Sequence, residues 1–465
     1  IFSDGGSRII YFFLIWTNMA LVAAAATGDM RLVRRTLSSD CDLNALNSEG
    51  DSVLMVAAKR NHVEVMTLLL VSGVDVDLRR SDGSTALHLA IASQHARAAK
   101  LLLDFDADAA VATNAGVTPL LLAAENGLSK LIKLLVKVAP QSVRTASKDG
   151  SNVLSFAAQA GQVETVTMFL DAGVPVDLSN GVGRTPLMHA AGKDRVDVLK
   201  LLLAKGAVPN KTAKDGNTAL TMAAEAGHVE AVRFLLSHGA RTNRSACPEV
   251  TALAAAAQNG HVEVIKLLLQ NHAEIDAHDD DWDSALHEAV YGGQLEAAHA
   301  LVEAGANVNK KNQSGWTSMM AAAHRNFGDI VELLIWKGAA LNMKTNDGRT
   351  ALHIASEEGH TEVIRLLLSR GSLVDAVDRL GRTPLMMAAY RGHKDTVQLL
   401  LDNGASLVRT DKMDQTPLEV ALSNSKIDVA TLLVYNEPQF RRRRESSSAS
   451  AERQTKRRRA ANVSP

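Results

Sequence analysis

Glycine recurs along this chain of 465 residues at a nearly constant interval of 33 residues, and this period constrains the fold more than any other feature. One interval, between Gly116 and Gly150, is 34 residues long. Three breaks in the series are filled in register by Glu249, Trp282 and Asp414. The periodic glycines are Gly50, Gly83, Gly116, Gly150, Gly183, Gly216, Gly315, Gly348 and Gly381. A fixed period of this length predicts a row of similar units, each stacked on its neighbours.

One unit, residues 347–371 with the sequence DGRTALHIASEEGHTEVIRLLLSRG, shows why each unit should form a turn and two helices. The pair Asp347-Gly348 suits a tight turn, because glycine adopts positive φ without strain. Thr350 is a good cap for a first helix, and other units place Pro in the first turn, where the missing amide hydrogen costs nothing. An apolar stripe at helical spacing follows. Gly371 then stands where a helix end favours a left-handed residue.

The repeated pattern DGxTPLHxAAxxGHxEVxxLLLxxGAxVN is similar to the ankyrin repeat and covers about nine-tenths of the chain. We count thirteen copies, from a degenerate first unit near Met19 to Pro438. The resemblance implies an all-α repeat protein, an ankyrin solenoid of helix-turn-helix units with β-turn fingers and a concave face lined by the first helices. We therefore assign residues 19–438 to the solenoid and residues 439–465 to a disordered basic tail. Pro140, in the 34-residue unit, should break a helix.

The first 18 residues do not fit the repeat, and the first methionine is Met19. The apolar run Ile9–Trp16 has eight residues, far short of the roughly 20 needed to cross a bilayer. We interpret residues 1–18 as an undefined leader or a mispredicted start. A signal peptide cleaved among Ala23 to Ala26 is the alternative.

The 15 histidines raise the question of a metal or catalytic site. Nine of them are periodic and occupy the Thr-x-Leu-His slot or the Gly-His slot of the repeat: His62, His88, His95, His228, His261, His287, His353, His360 and His393. We interpret periodic histidines as framework residues that make structural hydrogen bonds. The densest set of other candidate ligands is NHAEIDAHDDDWD, residues 271–283. A divalent ion could bind there, but we favour a solvated acidic turn.

The sequence lacks the common catalytic motifs. GxGxxG, GxxxxGK[ST], GxSxG and HExxH are all missing, so phosphate-binding loops and the usual hydrolase sites are not indicated. Cys41 and Cys247 stand far apart, which argues against a disulfide framework or a Cys-rich zinc site. We expect no enzymatic activity, no cofactor, no metal and no small-molecule substrate. The chain could still be the targeting fragment of a larger enzyme.

In ankyrin proteins, partners usually contact the finger tips and the exposed positions late in the first helix. Units nine to twelve place an unusual number of Trp, Tyr and Arg residues in these slots, and these types are enriched at interface hot spots. We expect a partner groove there, acidic at one end and Arg-rich at the other; ordinary loop variation is the alternative. The candidate residues are Asp281, Trp282, Asp283, Tyr291, Trp316, Arg325, Arg349, Arg382, Tyr390 and Arg391.

The tail differs from the body in charge. Nine of the 50 Lys and Arg residues and two of the 51 Asp and Glu residues lie after Pro438, so the tail carries +7 and the body −8. Two basic clusters stand eleven residues apart, which resembles a bipartite nuclear localisation signal. Their residues are Arg441, Arg442, Arg443, Arg444, Lys456, Arg457, Arg458 and Arg459. Ser446 resembles a site for basic-directed kinases, and phosphorylation there would reduce the positive charge. A nucleic-acid arm and a solubilising tail are the alternatives.

Together these features predict a non-enzymatic scaffold or adaptor that binds protein partners along the concave face, with regulated import into the nucleus. We expect it in the nucleus, the cytoplasm or both, with an import receptor among its partners. Nucleic acid and membrane are not expected as partners. A nucleic-acid-associated regulator that uses the basic tail is the competing hypothesis.

Overall fold

The computed structural model describes residues 5–37, 41–243 and 251–438, with the backbone alone at residues 5–15. These residues fall into two compact bodies, an N-terminal body up to Arg241 and a C-terminal body from Thr242. Regular secondary structure in both is helical, apart from two isolated β-bridges, Leu46 to Ser52 and His278 to Ser284. The predicted all-α repeat class is therefore confirmed.

Across its described residues, the N-terminal body contains fourteen α-helices and a short 3-10 helix, Pro140–Arg144. The α-helices are α1 Gly5–Thr27, α2 Met30–Leu37, α3 Val53–Lys59, α4 Val63–Val71, α5 Ala86–Ala92, α6 Ala96–Asp104, α7 Pro119–Glu125, α8 Ser129–Val138, α9 Val153–Ala160, α10 Val163–Asp171, α11 Pro186–Ala191, α12 Val196–Ala204, α13 Ala219–Glu225 and α14 Val229–Ser237.

The C-terminal body contains twelve α-helices among its described residues. They are α15 Ala252–Gln258, α16 Val262–Gln270, α17 Ala285–Tyr291, α18 Leu295–Glu303, α19 Ser318–His324, α20 Gly328–Trp336, α21 Ala351–Glu358, α22 Thr361–Ser369, α23 Pro384–Arg391, α24 Lys394–Asp402, α25 Pro417–Ser423 and α26 over residues 427–438.

Consecutive helices form pairs, and within each body the first helix of a pair packs on the first helix of the next pair. The second helices form a parallel row of their own; α20 contacts α22, and α22 contacts α24. Apolar side chains fill the space between the rows, and Leu352, Ile364 and Leu367 are all buried. Burial of a side chain of this size contributes about 1.5–3 kcal/mol. The apolar residues that recur at helical spacing therefore form the surface on which the helices pack.

Gly348 shows why the contact between successive turns favours glycine in the periodic slot. Gly348 has a φ of 89°, a backbone conformation that other residues rarely adopt. A Cβ atom at this position would lie 2.7 Å from the backbone nitrogen of Arg379 in the next turn. That nitrogen donates to the carbonyl oxygen of Asp347 at 2.9 Å. Gly371, predicted to be left-handed, follows the end of α22 with a φ of 96°.

Two segments depart from the regular repeat, the stretch around Pro140 and the N-terminal helix α1. Helix α8 ends at Val138, and the 3-10 helix begins at Pro140, so the predicted break at this proline is confirmed. Helix α1 runs from Gly5 to Thr27, so the boundary that we place between residues 18 and 19 falls inside it. Across the described residues, we find no helix with both the length and the apolarity needed to span a membrane.

Candidate partner-binding surface

The histidines of the Thr-x-Leu-His slot, His88, His287 and His353, lie in the first turn of their first helices and connect neighbouring repeats. The backbone nitrogen of Thr350 donates to Nδ1 of His353 at 3.2 Å, and the Thr350 hydroxyl lies 2.9 Å from the same atom. Because Nδ1 accepts the amide hydrogen, Nε2 carries the proton and donates to the carbonyl oxygen of Arg382 at 3.0 Å. One imidazole thus caps its own helix and holds the next turn.

His88 and His287 repeat this arrangement, with Nε2 at 3.1 Å from the carbonyl oxygen of Val117 and at 3.3 Å from that of Trp316. Burial lowers the pKa of His287 and of His353 to about 4, so both imidazoles are neutral at pH 7. In the Gly-His slot, Nε2 reaches the carbonyl oxygen of the preceding first helix in three repeats, from His62, His360 and His393. The framework interpretation is confirmed for these six histidines.

Three carboxylates gather at the start of α17 and form what we call the acidic cluster: Asp279, Asp283 and Glu288. One oxygen from each lies within 4.8 Å of the others. The sequence predicted a solvated acidic turn, and Asp280 and Asp281 are indeed exposed. Asp283, however, is only 9% exposed, because its side chain turns inward. The cluster is therefore partly withdrawn from water.

Two neutral side chains hold Asp283 in place. The Tyr291 hydroxyl donates to Oδ1 of Asp283 at 3.3 Å, and Nδ2 of Asn312 donates to the same oxygen at 3.1 Å. Asn312 belongs to the following turn, so this carboxylate joins two repeats. Among the described residues, no Lys or Arg forms an ion pair with any member of the acidic cluster.

Burial and mutual repulsion raise the pKa of every carboxyl group in the acidic cluster. Desolvation and the charges of Asp283 and Asp279 raise the pKa of Glu288 to about 7. Desolvation is also the main cause that raises the pKa of Asp279 and that of Asp283. Near pH 7 the cluster therefore carries its negative charge at a cost, which a nearby cation would reduce.

Trp282 stands beside the acidic cluster on an exposed turn. Its φ of 63° confirms that it occupies the conformation of the missing glycine. The indole is 54% exposed, and its centre lies 5.4 Å from that of the His278 ring. An exposed aromatic side chain in a strained backbone position is a clear local departure from the repeat pattern.

The next repeat presents a second, less exposed indole. Trp316 is half-buried, and its ring meets that of His324 edge to face, with 5.7 Å between their centres. Nε2 of His324 lies 3.9 Å from Oε1 of Glu358 in the following repeat. Arg325, the residue after α19, is exposed. Trp316 lies in the turn before α19, whereas His324 and Arg325 lie at the end of this first helix.

The arginines at the far end of the candidate surface are neutralised within the chain. Glu357 forms ion pairs with two arginines, one through each carboxylate oxygen. Its Oε2 lies 2.9 Å from Nη1 of Arg349, and its Oε1 lies 2.8 Å from Nη2 of Arg391. Nη2 of Arg382 lies 2.7 Å from Oδ2 of Asp378. Tyr390 is exposed, and the Arg391 guanidinium lies 5.7 Å from the centre of its ring. The predicted Arg-rich end is therefore a set of internal ion pairs, and the unbalanced charge lies at the acidic end.

The acidic cluster is also the one arrangement among the described residues whose side chains could ligate a metal. Carboxylate oxygens suit a hard cation such as Ca²⁺ or Mg²⁺. Oδ1 of Asp283 already accepts two hydrogen bonds, which leaves fewer oxygens free for an ion.

Comparison with known families agrees with this repeating architecture. A family model described as ankyrin repeats (3 copies) matches overlapping stretches from residue 20 to residue 443. The chain belongs to the ankyrin-repeat family. The matched stretches are residues 20–113, 105–180, 154–246, 193–279, 242–312, 286–378 and 370–443. No curated protein matches the chain.

The ankyrin framework also explains why the sequence did not reveal Glu288. This residue follows the Thr-x-Leu-His slot, a position on the first helix that we did not include among the candidate slots. In the other repeats that position holds Val56, Leu89, Leu122, Phe156, His189, Met222, Ala255, Ala321, Ile354, Met387 and Val420. A carboxylate in a slot that is otherwise never acidic was the available signal.

The basic clusters of the tail, Arg441–Arg444 and Lys456–Arg459, lie outside the described residues, and so does Ser446. Glu249, the in-register substitute for a turn glycine, also lies outside them.

Proposed function

We propose that this ankyrin-repeat chain is a non-enzymatic scaffold that binds a protein partner at the surface of units nine to twelve. The partner segment carries a Lys or Arg side chain beside an aromatic or apolar one. The acidic cluster is the observation that carries this proposal, since its carboxyl groups have raised pKa values and form no ion pair with any Lys or Arg among the described residues.

Electrostatics favours a cationic partner over an acidic one. A Lys or Arg placed beside Asp279, Asp283 and Glu288 would lower the pKa values that burial and repulsion have raised. An acidic segment would add a further like charge to the same partly buried site, and like-charge contact costs several kcal/mol. The arginines at the other end do not offset this preference, because Glu357 and Asp378 already neutralise them.

The exposed indole supplies the second element of recognition. Trp282 directly precedes Asp283 in the chain and is exposed, so the indole is available to the aromatic or apolar side chain of the partner segment. Tryptophan is the best side chain for cation–π contact and a common interface hot spot.

The experiment is affinity purification of the full chain from cell extract, in wild-type form and with Trp282→Ala and Trp316→Ala combined. Trp336→Ala is the matched control, because Trp336 is 69% exposed but lies on α20, a second helix. The proposal predicts at least one partner that the wild type and the control both retain and the double variant loses. Retention of the same partners by all three proteins would place the binding surface elsewhere.

We propose further that the tail directs this scaffold to the nucleus. The supporting observation is the eleven-residue separation of the two basic clusters on a chain whose body carries −8. A fluorescent protein fused to residues 439–465 should accumulate in the nucleus, and alanines at Lys456–Arg459 should abolish the accumulation. A fusion that is evenly distributed through the cell would overturn the assignment, and binding to nucleic acid in vitro with a steep salt dependence would favour the competing hypothesis.

A further inference from the structure

The N-terminal body contains a cavity that the candidate surface does not include. Its volume is about 900 Å³, and its walls come from three successive repeats, through α9, α11, α13 and the turns that precede them. Volumes of about 300–1,000 Å³ are typical of ligand pockets. Phe156 and Met222 supply an apolar part of the wall, and Ser155, Arg184 and His189 supply polar atoms.

Three buried polar atoms in this wall have no hydrogen-bond partner: Oγ of Ser155, Nε of Arg184 and Nε2 of His189. The Ser155 side chain is 1% exposed. Buried polar groups in native proteins are almost always paired, and each exception requires an explanation. Three exceptions in the lining of one cavity, from two neighbouring repeats, identify side chains that could pair with a bound molecule.

The available hydrogen atoms define what that molecule must offer. The Nε of Arg184 is a donor only, a serine hydroxyl can donate, and a neutral imidazole can donate from Nε2. Burial, followed by the charge of Arg184, lowers the pKa of His189 to about 4, so the ring is neutral at pH 7. All three groups can therefore donate to one kind of ligand atom, an oxygen acceptor. Arg184 and His189 are only half-buried, so modest rotations of their side chains would present these donors.

The charges of the wall favour an anionic oxygen. Arg184, Lys193 and Lys214 stand against Asp149 and Asp215, which leaves one positive charge in excess. Both carboxylates are already engaged. Oδ2 of Asp149 accepts from the Ser151 hydroxyl at 2.8 Å, and Oδ2 of Asp215 accepts from Nη2 of Arg184 at 3.1 Å. Neither oxygen is directed to the unpaired Nε of Arg184.

We propose that this cavity binds an acidic peptide segment of a protein partner, with an Asp or Glu carboxylate on Arg184, Ser155 and His189. An apolar neighbour in the segment packs on Phe156 and Met222. The site lies within the N-terminal body and is independent of the surface in units nine to twelve, so the chain has two binding sites of opposite charge preference.

The test is a displayed library of random linear peptides, selected on the full chain and counter-selected on Arg184→Gln. The recovered peptides should carry Asp or Glu beside an apolar residue. In calorimetric titrations of a synthetic peptide, changing that Glu to Gln should weaken binding to the wild type at least tenfold. The same change should have a smaller effect on binding to Arg184→Gln, since the contact between Arg184 and the carboxylate is already missing there.

Ser155→Ala provides a second variant that keeps every charge, and it should weaken the acidic peptide without changing the Glu-to-Gln peptide. Lys200→Gln, on the exposed face of α12, is the control and should bind like the wild type. Trp282→Ala should also leave the affinity unchanged, which separates this site from the one in units nine to twelve. The proposal is overturned if the selected peptides carry no carboxylate or if they bind Arg184→Gln as tightly as the wild type. It is also overturned if the selection enriches no peptide for the wild type over Arg184→Gln.

Discussion

The hydroxyl of Tyr291 donates a hydrogen bond of 3.3 Å to Oδ1 of Asp283, a carboxylate that is only 9% exposed. The tyrosine stands at the end of α17 and the aspartate just before its start, so the contact crosses the length of one helix. Asn312 approaches the same oxygen from the following repeat. The contact fixes the most buried member of the acidic cluster.

Tyr291→Phe removes this donor and leaves Asp283 with Asn312 alone. We expect the free energy of unfolding to fall by about 1 kcal/mol, the usual net contribution of one hydrogen bond to a buried partner. Urea denaturation followed by tryptophan fluorescence is suitable, because three of the four tryptophans lie in the C-terminal body. Tyr390→Phe is the control: its ring is exposed, and its unfolding midpoint should match the wild type. Equal midpoints for both variants would show that the Tyr291 contact adds no stability.

Glu288→Gln should stabilise the protein above pH 7 and not near pH 4.5. The pKa of Glu288 is about 7 in the folded protein and 4.5 in the reference state. Between these values the folded state binds the extra proton, so wild-type stability falls as pH rises through this window. Glutamine removes that loss. After allowance for the solvent contact of this half-buried group, we expect a gain on the order of 1 kcal/mol at pH 8.

The control for this measurement is Glu274→Gln, an exposed carboxyl group close in sequence, which should show no such pH-dependent gain. If Glu288→Gln instead lowers the unfolding midpoint at pH 8, the carboxylate has a favourable partner, and the acidic cluster is not electrostatically unsatisfied.

His353→Ala tests the framework histidines through the pH dependence of stability, which has the opposite sign to that of Glu288. The pKa of His353 is lowered to about 4, whereas an unfolded histidine titrates near 6.5. The unfolded chain therefore binds the extra proton between these values, and the stabilisation is present above pH 6.5 and lost as pH falls towards 4. We expect a loss of about 2 kcal/mol at pH 7.5 from the missing cap and inter-repeat hydrogen bond, and a smaller loss at pH 4.5. His299→Ala, on the exposed side of α18, should cost little at either pH. A loss that is the same at both pH values would contradict the neutral, buried imidazole.

Trp282→Gly should relieve the backbone and remove the partner contact in one substitution. A residue with a side chain at a φ of 63° is strained by about 1–2 kcal/mol relative to glycine, so we expect the thermal midpoint to rise while the affinity for a partner falls. Asp414→Gly makes the matched change, because Asp414 occupies the same slot with a φ of 58°. It should raise stability without changing partner affinity. If the Trp282→Gly protein binds the partner as tightly as the wild type, the indole does not contribute to binding.

The sequence was most informative where the period imposes geometry. Gly348, Gly371 and Pro140 each have a backbone role that follows from residue type, and the structure confirms all three. Trp282 could likewise be predicted to strain its turn, because its place in the series requires positive φ.

The sequence was least informative about contacts between repeats. Arg349 and Arg391 share Glu357, eight residues from the first and 34 from the second, and no periodic pattern specifies that pairing. Asp283 accepts hydrogen bonds from Tyr291 and Asn312, and the repeat pattern specifies neither contact. The net charge of a surface depends on such pairings. The sequence therefore showed the arginines at this end of the candidate surface but not the carboxylates that neutralise them.

The most direct test of the central claim substitutes two members of the acidic cluster, Asp279→Asn combined with Glu288→Gln, and measures the affinity of the purified partner by calorimetry at low and high salt. Both substitutions remove charge with little change of shape. We predict binding at least tenfold weaker than to the wild type at about 50 mM salt, and a smaller difference at about 500 mM, because salt screens the exposed part of the attraction. Equal affinities of the two proteins at low salt would contradict the claim that the acidic cluster binds the partner.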